Sequence, residues 1–181
     1  MKPIDLLVSE HRLIERVIRM LEQERNSMLS TRRTDIILTD RGVEFFESYA
    51  LKTHQEKEEK FLFDVLERHP MSGEERSLMD ELKEDHLFLQ ETVEALARAR
   101  DAYLHTEKGT TELILVQLDE LIGFYPVHFK KEEEQLFPLV EARLTDDEER
   151  ELLDQFHRHD KERIHTMFKA IVSRLESERI R

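Results

Sequence analysis

Two stretches of this chain carry a histidine and a carboxylate four residues apart: His54-Gln55-Glu56-Lys57-Glu58 and His128-Phe129-Lys130-Lys131-Glu132. In a helix four residues make about 400° of turn, so each pair projects from one face, one turn apart. An imidazole and a carboxylate held in this way form a two-donor comb for a metal ion. The likeness continues downstream, with Leu62 matching Leu136, Phe63 matching Phe137 and Glu67 matching Glu141. Two further histidines sit in matching contexts, Glu10-His11-Arg12-Leu13-Ile14 and Asp85-His86-Leu87-Phe88-Leu89, and their separation equals that of the combs to within one residue. The chain is therefore a twofold internal repeat of one unit, a lone histidine followed by a His-x-x-x-Glu comb.

Burying four imidazoles and two carboxylates in apolar stripes costs several kcal/mol per unpaired charge, a conflict that cations remove. The pseudo-twofold symmetry suggests two ions, each held by two histidines, one from a lone-His helix and one from a comb helix, with Glu58 and Glu132 bridging. Two imidazoles, two carboxylate oxygens and a bridging solvent oxygen make about five donors per ion, one short of the octahedral preference of iron or manganese. The chain has no cysteine, which removes disulfides, thiolate ligands and thiol nucleophiles together. Nitrogen and oxygen donors suit iron, manganese or zinc.

The elements that must position these residues read as helices. With 181 residues, 39% of them hydrophobic, the chain is long enough to bury the core of one domain. Only four Gly and four Pro beside 38% charged residues favour an all-α fold. A first helix from about Pro3 to about Arg25 puts Ile4, Leu7, His11, Ile14, Ile18 and Leu21 on one stripe. The Ser- and Thr-rich residues 26–39 read as a connection, with Thr39 a candidate N-cap. A second helix spans about Asp40 to Arg68, turning Ala50, His54, Glu58, Leu62 and Val65 inward, and stops at His69-Pro70. Ser72 caps a third, about 74–104, with Leu82, His86 and Leu89 inward, and Lys108-Gly109 breaks it. A fourth covers about Glu112 to Leu144, with kinks expected at Pro126 and Pro138. Thr145 caps a fifth, about 146–177.

Short connections between four long helices predict an antiparallel, up-down-up-down four-helix bundle over residues 1–145, with an additional C-terminal helix in 146–181 packed on it in the same domain. From His11 to the end of the first helix is about 14 residues, roughly 21 Å, and the same distance leads back along the second to His54. The third and fourth helices bring His86 and His128 to one level in the same way. All six residues, His11, His54, Glu58, His86, His128 and Glu132, are thus expected in one layer of the core as metal ligands.

This set, in this order and duplicated, with Lys-x-Glu-Glu before Leu-Phe, resembles the hemerythrin-like (HHE cation-binding) domains over about residues 1–145. The resemblance implies a non-haem di-iron centre, two iron ions bridged by the two glutamates and an oxo or hydroxo group. It is unlike the ferritin-type proteins, whose Glu-x-x-His signature would need glutamate where Lys83, Leu51 and Tyr125 stand. Hemerythrins that carry oxygen have a further histidine four residues after the third helix's ligand, where this chain has Gln90. That departure weighs against simple reversible O2 carriage and points to members that handle peroxide or NO, repair iron centres, or sense iron and oxygen. The expected function is a centre that binds and reacts with O2, hydrogen peroxide or nitric oxide in an oxidative or nitrosative stress response. The alternative is an iron or oxygen sensor without turnover, its metal occupancy read by a partner of the C-terminal helix.

Around this set, Glu59 and Glu133 lie about 100° off the ligand face and are expected to be exposed or to support the ligands. Lys57 and Lys131 read as solvated. Glu15, four residues after His11, is a candidate extra ligand, with a solvated carboxylate as the other reading. The C-terminal helix holds His157, His159 and His165, the last in a Glu-x-x-His with Glu162, and these read as surface features. Its stripe of Leu152, Phe156, Ile164, Phe168, Ile171 and Leu175 suggests packing on the bundle or on a second subunit, a possible homodimer. A net charge of −13 without a basic, aromatic-interleaved block excludes nucleic acid as an expected partner. Lacking an apolar signal core or an 18-residue apolar run, the chain is expected to be cytoplasmic and independent of membranes.

Overall fold

The computed structural model describes residues 2–105, 109–160 and 164–179, and every regular element among them is helical. Helix α1 (Pro3–Thr31) opens on a proline, whose missing N–H is one that a first helical turn leaves unpaired in any case. It continues past Arg25 because Glu24 and Met28, both buried, extend the stripe set by Ile14 and Leu21. Arg32, left-handed at φ 58°, closes it by donating its N–H to the Met28 carbonyl at 2.9 Å. The expected connection over 26–39 therefore shrinks to a few residues. The cap of helix α2 (Ile36–Phe45) is Asp35, whose carboxylate accepts from the Leu38 N–H at 3.1 Å. Thr39 is instead buried inside α2, its hydroxyl donating to the Asp35 carbonyl at 3.0 Å.

The second rod continues from α2 through two widened π-helical segments, π1 (Phe46–Gln55) and π2 (Glu58–Leu62), into α3 (Phe63–Glu67). Helix α4 (Gly73–Leu104) begins with a reciprocal cap, in which Ser72 accepts from the Glu75 N–H and Glu75 from the Ser72 N–H. The fourth rod comprises α5 (Thr110–Lys131), π3 (Glu132–Leu136) and α6 (Phe137–Arg143). It starts after Gly109, whose φ of 79° suits a residue without a side chain; Lys108 lies outside the described residues. Helix α5 runs through Pro126, and the widening falls at π3, upstream of Pro138. Proline is not its cause, because the first repeat has Asp64 at the place matching Pro138 and widens all the same.

In place of the single helix expected over 146–177, the described residues form two, α7 (Asp146–His159) and α8 (Ile164–Arg179). Thr145 and Glu148 form the expected reciprocal cap of α7, and Asp160 ends it with its N–H on the Phe156 carbonyl at 2.9 Å. Helix α1 lies against α2 and α5, and α4 against the same two; α7 rests on α1 and π2, α8 on α1 and π1.

Two apolar cores result among the described residues. One, around Leu21, Phe46, Val93 and Leu118, takes in Phe168 and Val172 of α8. The other, around Leu7, Leu66, Leu82 and Leu136, takes in Leu152 and Phe156 of α7. Among the described residues, no helix is long and apolar enough to cross a membrane.

Candidate metal centre

Four histidines and two glutamates of the interior come together from six helical segments. Helix α1 delivers His11, π1 His54, π2 Glu58, α4 His86, α5 His128 and π3 Glu132, and all six are buried. Each glutamate is the first residue of a π-helical turn: the Phe63 N–H returns to the Glu58 carbonyl and the Phe137 N–H to the Glu132 carbonyl, five residues back. Such widened turns recur at functional sites because they re-aim one side chain without ending the helix. Matching turns at both combs show that the duplication extends to backbone geometry.

The histidines meet in pairs that join a lone-His helix to a comb helix. The rings of His11 and His54 are 4.8 Å apart at 75°, and those of His86 and His128 are 5.0 Å apart at 71°. Glu132 lies between the pairs, with Oε2 3.2 Å from His11 Nε2 and Oε1 3.1 Å from His128 Nε2 and 3.5 Å from His86 Nε2. Oε2 of Glu58 is 3.8 Å from His54 Nε2 and 3.4 Å from His86 Nε2. His11, His54, Glu58 and Glu132 make one group whose donor atoms lie within 4.8 Å of one another, and His86, His128 and Glu132 make a second.

The outer nitrogen of every one of these rings is already engaged. Nδ1 of His11 pairs with Glu133 at 2.9 Å, of His54 with Glu10 at 3.0 Å, of His86 with Glu59 at 2.9 Å and of His128 with Asp85 at 3.3 Å. An ionised carboxylate only accepts, so each Nδ1 must donate and each neutral ring turns an Nε2 lone pair inward. Glu10 and Asp85 are held below the usual carboxylate range: burial opposes their charge, but His54 and Lys57 outweigh it at Glu10, and His128 and Lys131 at Asp85. The hydrogen bond from His86 does the same for Glu59.

Fit to a metal can be judged from what is left unpaired. Nε2 of His11, His54 and His86 and both carboxylate oxygens of Glu58 and of Glu132 are buried without a hydrogen-bond partner. A buried polar atom without a partner costs about 1–3 kcal/mol, and here they all face one another. Cations held by these nitrogens and oxygens satisfy them together, so the residues fit a metal centre. Protons compete for the same atoms. Burial opposes the imidazolium of His11, His86 and His128, yet the carboxylates around each together outweigh it, Glu132 with Glu58 and Glu133 at His11, with Glu58 and Glu59 at His86 and with Asp85 at His128, and all three pKa values rise, that of His128 to about 9. Burial likewise opposes the charge of Glu132, but His128, His11 and His86 hold it well below the usual range.

A family profile described as the hemerythrin HHE cation binding domain matches residues 2–140. The chain belongs to the hemerythrin HHE cation-binding family. Like other members it is a metal-binding helical bundle, and the matched span contains all six residues of the cluster. No curated protein and no solved structure matches the chain. In this hemerythrin domain the walls of the centre are aromatic: Phe129 stacks on His11 at 3.8 Å, Phe63 on His86 at 6.0 Å and Phe124 on His128 at 6.0 Å. The pairs Leu62-Phe63 and Leu136-Phe137 are buried as expected of core walls.

Several neighbours of the cluster differ from their sequence reading. Lys57 is not solvated but fully buried, its ammonium paired with Glu10 and with Asp160. Its repeat partner Lys131, mostly buried, pairs with Asp85 at 2.7 Å and Glu81 at 2.6 Å. Of the two readings of Glu15, the carboxylate outside the ligand set fits: it joins neither donor group and pairs with Arg12, which also holds Glu133. His159 and His165 reach back to the second rod, His159 to the Lys52 carbonyl at 2.9 Å and His165 to the Tyr49 hydroxyl; Glu162 lies outside the described residues. Glu10 and Asp85 were legible as acids preceding both lone histidines, but nothing in that dipeptide says that each serves the histidine of another helix.

Proposed function

We propose that this hemerythrin-family protein holds two iron ions and that its centre binds and reacts with O2, hydrogen peroxide or nitric oxide. The observation that carries the reading is the set of inward, unpartnered Nε2 and carboxylate atoms on His11, His54, His86, Glu58 and Glu132. His11 and His54 with Glu58 would hold one ion and His86 and His128 the other, with Glu132 shared and Glu58 near both pairs. The proposed frame is an up-down-up-down four-helix bundle, with α7 and α8 in the same domain because each contributes to a bundle core. When bound, such ions supply a redox-active centre with a coordination position open to a small ligand.

The protein's own groups prepare that chemistry. The four carboxylates on Nδ1 hold the rings in one tautomer, strengthen Nε2 as a donor and fix ring direction. Phe129, Phe63 and Phe124 exclude water from the imidazole faces. A cleft of about 280 Å³ between α1 and α5 has Phe129, the ring stacked on His11, and Tyr125 among its lining. It offers a small ligand an approach to the His11 side.

Metal analysis of the purified chain is expected to give two irons per chain, with visible absorption that changes on adding peroxide. A chain that stays iron-free after anaerobic incubation with ferrous iron would overturn the reading. A second reading, an iron or oxygen sensor without turnover, is favoured by the tie from π2 and its flank to the C-terminal helices through Lys57 and Asp160. Peroxide consumption no faster than that of free iron would select it.

A further inference from the structure

We propose that α7 and α8 are a working part of the metal centre: Asp160, acting through Lys57 and Glu10, positions His54, so that ion binding in the first repeat and docking of the C-terminal helices are coupled. The proposal rests on the two-ion reading above and adds residues beyond 140, outside the span matched to the family.

The connection is continuous, buried from His54 to Lys57 and closed by an ion pair to the half-buried Asp160. Nδ1 of His54 donates to Glu10 Oε2 at 3.0 Å, Glu10 Oε1 takes the Lys57 ammonium, and the same ammonium takes Asp160 at the end of α7. Glu10 and Lys57 are both fully buried, and the ammonium also lies 5.7 Å over the ring of Phe156 in α7. With one cation between two carboxylates, Asp160 draws on the Lys57 charge and leaves Glu10 the stronger acceptor for His54. A ligand histidine held by a stronger acceptor is the better donor to a metal. Two further contacts dock the same helices on the segment that carries His54. His159 Nε2 lies 2.9 Å from the Lys52 carbonyl, a backbone group of π1, and His165 of α8 meets the Tyr49 hydroxyl of π1.

The second repeat supplies the contrast. Lys131 matches Lys57 and pairs with Asp85, which holds Nδ1 of His128, but its other carboxylate is Glu81, from α4 itself. Among the described residues, nothing outside the bundle enters that chain. The C-terminal helices therefore act on one of the two sites and not on the other.

The test uses the full chain loaded anaerobically with ferrous iron, with release followed against a competing chelator. Asp160→Asn is expected to weaken the hold on one of the two ions about tenfold, the low end for residues that support a ligand. Asp160→Glu, which keeps the carboxylate, is expected to hold both ions as wild type does. Because coupling is reciprocal, amide hydrogen exchange in α7 and α8 of the wild type should slow by about the same factor on loading, a measurement that needs no variant to fold. If wild type holds two ions and Asp160→Asn holds both as tightly, or if loading leaves exchange in α7 and α8 unchanged, the coupling is overturned while the two-ion reading survives. A wild type that binds no iron overturns both.

Discussion

Glu10 Oε2 lies 3.0 Å from Nδ1 of His54, and it comes from the residue immediately before another member of the cluster, His11. Asp85 repeats the arrangement, standing before His86 and holding His128. The remaining two contacts run the other way, Glu59 after Glu58 holding His86 and Glu133 after Glu132 holding His11. Each carboxylate that orients an imidazole thus sits beside a different member of the cluster in sequence. Moving one helix disturbs two inner groups at once, which makes the layer cooperative.

Removing one of these orienting carboxylates should weaken metal binding without removing a donor. Glu10→Gln or Asp85→Asn is expected to cost about 10–100-fold in metal affinity. Competition against a chromophoric chelator reads the loss, and an affinity within twofold of wild type would show that the rings hold their direction unaided.

Metal itself should be a large part of the stability of the fold, because the unpaired atoms of the cluster are buried in any case. Free metal at a hundredfold excess over its dissociation constant adds about 2.7 kcal/mol, worth about 5–10 °C in Tm for a chain of this size. Thermal melts with and without a chelator measure the shift. Glu132→Ala, which removes the carboxylate common to both donor groups, is expected to abolish it.

Acid and base should act in opposite senses on stability and on loading. In the metal-free protein the folded-state pKa of His128 is raised to about 9, against about 6.5 for an ordinary histidine. Its contribution is therefore fully present below about pH 6.5 and lost as the pH rises through 9. Glu132, held well below its ordinary value, contributes above about pH 4.3 and loses that contribution as the pH falls further. Metal binding must displace the histidine protons, so affinity should climb with pH over the range in which the metal-free fold weakens. Denaturant melts and chelator titrations at matched pH values test both slopes.

Phe129→Ala removes the ring stacked on His11 and one wall of the cleft between α1 and α5. A loss of about 3–5 kcal/mol is expected from the cavity, together with faster reaction of the loaded centre with dissolved small ligands. Stopped-flow absorption gives the rate and urea unfolding the stability; an unchanged rate would place the approach elsewhere.

Much of this protein is written in its local spacing. A carboxylate four residues after a histidine shares its helix face whatever the rest of the chain does, and the repetition of that unit, with the lone histidines at matching separation, is visible without coordinates. Helical content follows in the same way from few glycines and prolines and from caps such as Ser72 with Glu75 and Thr145 with Glu148. Tertiary structure decided the rest. Lys57 reads as one more charge on a polar face, and only the arrival of Asp160 from α7 makes it a buried cation between two carboxylates. Glu10 and Asp85 acquire their task from helices packed across from them, and the π-helical turns at Glu58 and Glu132 come without a local signal such as proline. Periodicity is a property of neighbours along the chain, whereas the partner of a buried charge is set by which distant segment closes over it.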